Sequence, residues 1–195
     1  DQALLAEAEY GLAASLVMGG RAADAEPFLD SSQAIFTRLG DDGGVADIVA
    51  GRGFAVLSGD GDLTAAAPLF EQARDLYAGA GRTLNVGQVV IALAAVAAYE
   101  ERFDDTYRLG LEALDIAESL GDLFLSVWAL EWLAVASVEL GRIEAGALLA
   151  GATEAARSTL GGGWTPLVVG LEDAVTRLET RLGSGVAEEL VAPGR

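Results

Sequence analysis

The side chains able to do chemistry in this chain are carboxylates. Its 195 residues include 30 acidic and 12 basic ones, all the basic residues are Arg, and His, Cys and Lys do not occur. Without His there is no Ser-His-Asp relay and no imidazole base or metal ligand. Without Cys there is no thiolate nucleophile, disulfide or thiolate zinc site, and without Lys there is no Walker-type phosphate loop and no Schiff base. Two acidic clusters remain. Asp60, Asp62, Thr64 and Glu71 fall at the spacing of a calcium loop, but Ala65 stands where such a loop needs Gly, so an acidic turn capping a helix is the better reading. Glu100, Glu101, Asp104 and Asp105 could supply a carboxylate pair for hydrolysis. They sit at a turn with no evident pocket, and helix capping accounts for them as well. No metal site and no cofactor are expected.

The remaining candidates are binding residues. The net charge of −18 repels nucleic acid and anionic membranes, whose recognition requires Lys and Arg to displace counterions. No run reaches eighteen uninterrupted apolar residues. Leu84 to Ala98 is broken by Asn85 and Gln88, and Leu123 to Val138 by Glu131, so both read as buried helices of a protein outside the membrane. A cytoplasmic location is expected. The chain starts at Asp1, with Met18 as its one methionine, and reads as a piece of something longer.

The elements that must position these residues follow from internal repetition. The segment Arg21 to Asp41 falls again on Arg102 to Asp122, each opening on Arg and closing on Leu-Gly-Asp, and again on Arg142 to Gly162. Asp62 to Arg82 keeps the interior of the pattern, giving a period of 40 or 41 residues. Phe28, Leu69, Leu109 and Leu149 form one apolar column, and Ile35, Leu76, Ile116 and Ala156 a second, seven residues on. This is helical spacing. The closing Gly is a helix stop. A preceding helix in each copy carries a bulky residue followed by Ala: Leu12-Ala13, Phe54-Ala55, Leu93-Ala94 and Leu133-Ala134. Short turns between the two helices force them antiparallel.

The expected fold is therefore all-α: a right-handed superhelix of about four antiparallel helical hairpins, stacked as one domain over residues 1–195. The repeats run over about 3–41, 43–82, 83–122 and 123–162, with capping helices over 166–192. Trp164 would plug the end of the stack. In such a solenoid the first helix of each hairpin lines a concave face. Counting from the bulky-Ala signature, one column on that face holds Tyr10, Arg52, Ile91 and Glu131, and its neighbour holds Glu7, Val49, Gln88 and Trp128. The candidate ligand- or partner-binding residues are Tyr10, Arg52, Gln88, Trp128 and Glu131. Arg52 and Glu131 are each the only charge near the middle of an apolar helix, where an unpaired buried charge is costly. Each either contacts a ligand in the groove, reaches solvent or pairs with another helix. Phe124, Trp128 and Trp132 recur every four residues as an aromatic stripe, which is either a binding surface or core.

The bulky-Ala pair, Ala25 twelve residues after Ala13, and the alanines Ala73 and Ala113 resemble the tetratricopeptide pattern, although its period is 34. The longer period, and the run from Ala145 to Arg157, AGALLAGATEAAR, are similar to the maltose-regulator-type sensor solenoid of large bacterial LuxR-type transcriptional regulators. Nearly the whole chain is covered by this resemblance. It implies a non-catalytic segment that binds an effector small molecule or a partner protein or peptide. A signal-transduction ATPase would lie upstream and a helix-turn-helix downstream, neither of which is present in this segment. A stand-alone scaffold for protein assembly is the alternative, and a carboxylate hydrolase the weakest reading.

Overall fold

The computed structural model describes residues 1–58, 65–160 and 173–194, apart from the side chain of Pro193. Ten α-helices follow in order: α1 (Gln2–Met18), α2 (Ala22–Leu39), α3 (Asp42–Ser58), α4 (Ala66–Gly79), α5 (Thr83–Tyr99), α6 (Phe103–Leu120), α7 (Leu123–Glu139), α8 (Ile143–Leu160), α9 (Ala174–Leu182) and α10 (Ser184–Val191). A short 3-10 turn, Ala192–Gly194, closes the described chain. Among the described residues there is no strand, and the class is all-α, built of helices that pack in sequence-adjacent pairs. The contacts fall into two compact units, Asp1–Val89 and Val90–Arg195.

Glycine sets the helix ends. Gly40, Gly81 and Gly121, the closing residues of the first three repeats, have φ of 69°, 70° and 65°, a left-handed conformation that glycine adopts without a Cβ clash. The fourth closing residue, Gly161, lies outside the described residues. Starts are set by carboxylates: Asp122 Oδ1 accepts the Leu125 N–H at 2.7 Å and Asp173 Oδ1 that of Thr176 at 2.8 Å, each satisfying a donor at a helix N-terminus. The capping helix expected from Pro166 therefore begins, within the described residues, at Ala174.

The second helix of each repeat buries a stripe at spacings of four, three and four residues. It reads Ala25, Leu29, Ser32, Phe36 in α2 and Ala66, Phe70, Ala73, Tyr77 in α4. In α6 it reads Thr106, Gly110, Ala113, Ala117. In α8 it begins Gly146, Ala150, Thr153, all buried, and its fourth place is Arg157. The columns inferred from sequence, through Phe28 and Ile35, lie beside this stripe and are in part half-buried.

Within the first unit, Phe70 lies against Phe54 edge to face, with ring centroids 5.0 Å apart, in space that a Cβ on Gly53 would occupy. Ser32, fully buried, donates to the Ala6 carbonyl at 2.8 Å, tying α2 to α1 without an unmet polar group. In the second unit α7 between Leu125 and Val138 is apolar apart from Ser126, Glu131 and Ser137, and Leu125, Val127, Ala129 and every residue from Trp132 to Val138 are buried, as a helix with neighbours on most sides requires. Glu139 at its end receives Arg177 at 2.7 Å, and Arg181 as well, fastening α9 to α7. Gly151 on α8 meets the backbone of Val191 and Gly194 so closely that a Cβ there would collide with both. The C-terminal turn thus lies directly on α8.

Candidate functional site

A cavity of about 250 Å³ opens in the second unit between α7, α8 and the start of α9, lined by Glu131, Ala134, Ala150, Thr153, Glu154, Arg157, Asp173, Ala174 and Val175. Its origin lies in the buried stripe of α8. Where the first two repeats place Leu29 and Phe70, the third has Gly110 and the fourth Ala150. At Gly110 the missing volume is filled, because Leu133 approaches to 2.9 Å of where a Cβ would be. Beside Ala150 the facing wall is Ala134, and two small residues leave the space open. The fourth stripe position, occupied by buried Phe36 and Tyr77 in the first two repeats, carries Arg157.

Arg157 brings a charge to the edge of the core, and Glu131 on α7 answers it. The guanidinium Nη2 is paired with Glu131 Oε1, and the two side chains are 31% and 19% exposed, enough burial to strengthen the pair above a surface ion pair. The Nε of Arg157 is shielded from solvent and has no hydrogen-bond partner. Thr153 donates to the Leu149 carbonyl at 2.8 Å, leaving its lone pairs as acceptors. The cavity therefore offers an apolar wall of Ala134, Ala150, Ala174 and Val175 and a polar wall with one N–H donor and several carboxylate oxygens. A cavity of about 250 Å³, just below the roughly 300–1,000 Å³ of ordinary ligand pockets, can hold and orient only a small molecule.

Of the five residues proposed from sequence, Glu131 lines this cavity and the other four do not. Trp128, one turn away on α7, is half-buried. Arg52 pairs with another helix: it donates to Glu26 at 2.8 Å, Gln33 at 2.5 Å and Asp30 at 2.6 Å, acceptors on one face of α2. That arrangement locks α3 to α2. Gln88 is half-buried on α5. Tyr10 is half-buried on α1 and packs against Gly51 of α3, where a Cβ would lie 3.3 Å from its ring. Asp60, Asp62 and Thr64 of the calcium-loop spacing, and Trp164, fall outside the described residues, among which no group of acidic residues is arranged to hold a metal ion. At the 100–105 turn Arg102 bonds Glu100 at 2.6 Å and also Asp105. These carboxylates are occupied by one guanidinium, which holds the Asp105 carboxyl below its usual range.

Sequence reading did not find Arg157, Thr153, Glu154 and Asp173 as lining residues. A signal existed for the first. Glu131 needed a countercharge, and Arg157 is the only cation between Arg142 and Arg177.

A second polar cluster, also unforeseen, joins four elements of the first unit. Asp47 on α3 accepts from the Tyr77 hydroxyl at 2.7 Å and from Arg82 at 2.9 Å. Burial, then the Asp47 carboxylate, pushes the Tyr10 phenol up to about 12. Burial and the Asp47 hydrogen bond raise Tyr77 further, with an Asn85 hydrogen bond opposing. Both phenols thus have folded values above the unfolded one near 10. Their contribution to stability is fully present below pH 10 and is lost as pH rises through the folded values. Urea unfolding followed from pH 8 to 12 should show stability falling above pH 10 by up to about 1.4 kcal/mol per pH unit for each tyrosine. Tyr10→Phe combined with Tyr77→Phe should flatten that slope, and an unchanged slope would refute the assignment.

No family model matches the sequence, and no curated protein is significantly similar to it. No described helix is long and apolar enough to cross a membrane.

Proposed function

We propose that this chain is a non-catalytic sensor module of tetratricopeptide-like type, which binds a small effector beside α7 and α8 as part of a multidomain bacterial transcriptional regulator. The observation that carries the binding reading is the cavity at Ala150. Repeated hairpins elsewhere fill this position with Leu29 or Phe70, whereas here a void is kept beside an Arg157–Glu131 pair with an unmet N–H. A core formed for stability alone gains by closing such a void.

The lining favours one ligand class. Among Glu131, Asp173 and Arg157 of the lining, two carboxylates face one guanidinium and leave a negative balance. The effector suited to it is a small molecule bearing amine or hydroxyl donors, with one acceptor for Arg157 Nε and an apolar face for the alanines. Anions are repelled by the same charges. Effector binding joins α7, α8 and α9, and its differential affinity for their arrangements would be what is passed to neighbouring domains.

The regulator part of the proposal is supported by the repeat signature and the run from Ala145 to Arg157. Its test is the coding sequence on either side of residues 1–195 in the parent gene. An upstream nucleotide-binding ATPase and a downstream helix-turn-helix are expected, and a parent encoding neither would contradict the regulator reading while leaving the binding site open to direct assay.

A further inference from the structure

Along α9 and the chain that follows it, a wall of the cavity, an ionic clasp, a turn and an anchor come in order. Asp173, Ala174 and Val175, at the start of α9, line the cavity. A helix of nine residues is too short to be stable by itself, and within α9 the buried residues are Ala174 and Leu178. Its position therefore depends on polar ties to the end of α7. Glu139, the last residue of α7, is 13% exposed and accepts from Arg177 at 2.7 Å and from Arg181. Arg181 also donates to the Val138 carbonyl in the last turn of α7 at 2.9 Å. A carboxylate is poorly placed at a helix C-terminus and a cation well placed, so the two guanidiniums stabilise Glu139 and the helix end together.

Beyond Arg181 the backbone turns at Gly183, whose φ of 83° lies in the left-handed region that glycine enters without a Cβ clash. The chain after it is pinned, because Gly151 of α8 meets the backbone of Val191 and Gly194 with no room for a Cβ. We infer that α9 is a hinged wall of the cavity, which pivots at Gly183, is latched by Arg177 and Arg181 on Glu139, and opens to admit the effector and closes on it. This rests on the reading of the cavity as a binding site and names the element that controls it. Ala134, on the α7 wall of the cavity, is 1% exposed with the latch closed, so a ligand reaches that wall when a neighbouring element moves aside. Of the three helices around the cavity, α7 and α8 are longer and bury more residues along their length, whereas α9 is short, with its outer face exposed. Elements with few buried apolar contacts are the ones that open separately from the rest of a fold.

Because the chain has no cysteine, Ala134→Cys gives the whole protein a single thiol behind α9, with the cavity providing room for its sulfur. Labelling by N-ethylmaleimide reports opening of that wall, and amide exchange around Ala113, buried in α6, reports global unfolding. With the latch intact, the thiol should be labelled at least about tenfold faster than the α6 amides open, at a rate little changed by low urea. Glu139→Gln removes the charge that both guanidiniums share, and Arg177→Gln combined with Arg181→Gln removes the guanidiniums themselves. Each should speed thiol labelling by a further factor of about ten or more, with α6 exchange unchanged. Amide exchange of α9 in the chain without the added cysteine should rise in the same two variants. Labelling that only keeps pace with α6 opening would make α9 a fixed part of the fold and overturn the inference, as would labelling and α9 exchange indifferent to both latch variants. No effector enters these measurements, so they can contradict the moving wall while the cavity still binds a ligand, and a cavity that binds none leaves their outcome unchanged.

Discussion

Ala150→Phe is expected to abolish effector binding while leaving the protein folded. Position 150 aligns with Leu29 and Phe70, so the backbone of this repeat type accepts a bulky residue there. The added ring projects into a void of about 250 Å³ rather than into packed atoms. Overpacking a close-packed core costs about 1–3 kcal/mol, but filling a pre-existing void regains transfer energy. The unliganded variant should therefore unfold at the same urea concentration as wild type or a higher one. Affinity for a ligand seated between Ala134 and Ala150 should fall at least about 100-fold, since 1.4 kcal/mol is tenfold and a steric block removes several such increments. A stability loss above about 3 kcal/mol would show that the space is not open as described. Retained affinity would place the ligand elsewhere.

Phe70→Ala is expected to have the largest effect on stability. The side chain is fully buried, meets Phe54 edge to face and lies over Gly53, which has no side chain to move into the vacated space. Truncating a buried Phe costs about 3–5 kcal/mol, through lost transfer energy and a cavity the surroundings do not close. In a chain of this size that corresponds to a fall in Tm of roughly 10 °C, measurable by circular dichroism. The contrast with position 150 is informative. One column in the repeat is occupied by Phe where it holds α4 to α3, and by Ala where it leaves a cavity.

The helices were legible in the sequence because their signals are local. Closing glycines, the 40-residue period and apolar spacing each act within one or two turns, and the structure places α2, α3, α6 and α7 within a few residues of the repeat boundaries. The Pro166 start of the capping helix lies outside the described residues. The buried stripe was displaced by one residue from the columns read from sequence, since Phe28 and Leu29, or Leu69 and Phe70, are adjacent bulky residues and periodicity alone does not say which faces inward.

The site was legible only in part. Arg52 and Glu131 stood out equally as lone charges in apolar helices. Which of them faces a cavity depends on tertiary packing: Arg52 finds Glu26, Asp30 and Gln33 on a neighbouring helix, whereas the Glu131–Arg157 pair borders space left by Ala134 and Ala150. An absence of volume has no residue to mark it in one repeat. It shows only when Ala150 is compared with Leu29 and Phe70 in the others.

The most direct measurement is a thermal-shift screen of small metabolites against wild type and Ala150→Phe in parallel. A ligand present at 100 times its Kd adds about 2.7 kcal/mol, or roughly 5–10 °C in Tm for a chain of this size. The account predicts at least one compound bearing amine or hydroxyl donors that produces such a shift in wild type and none in Ala150→Phe. A screen in which no compound shifts the wild type, or in which every shift persists undiminished in Ala150→Phe, would contradict it.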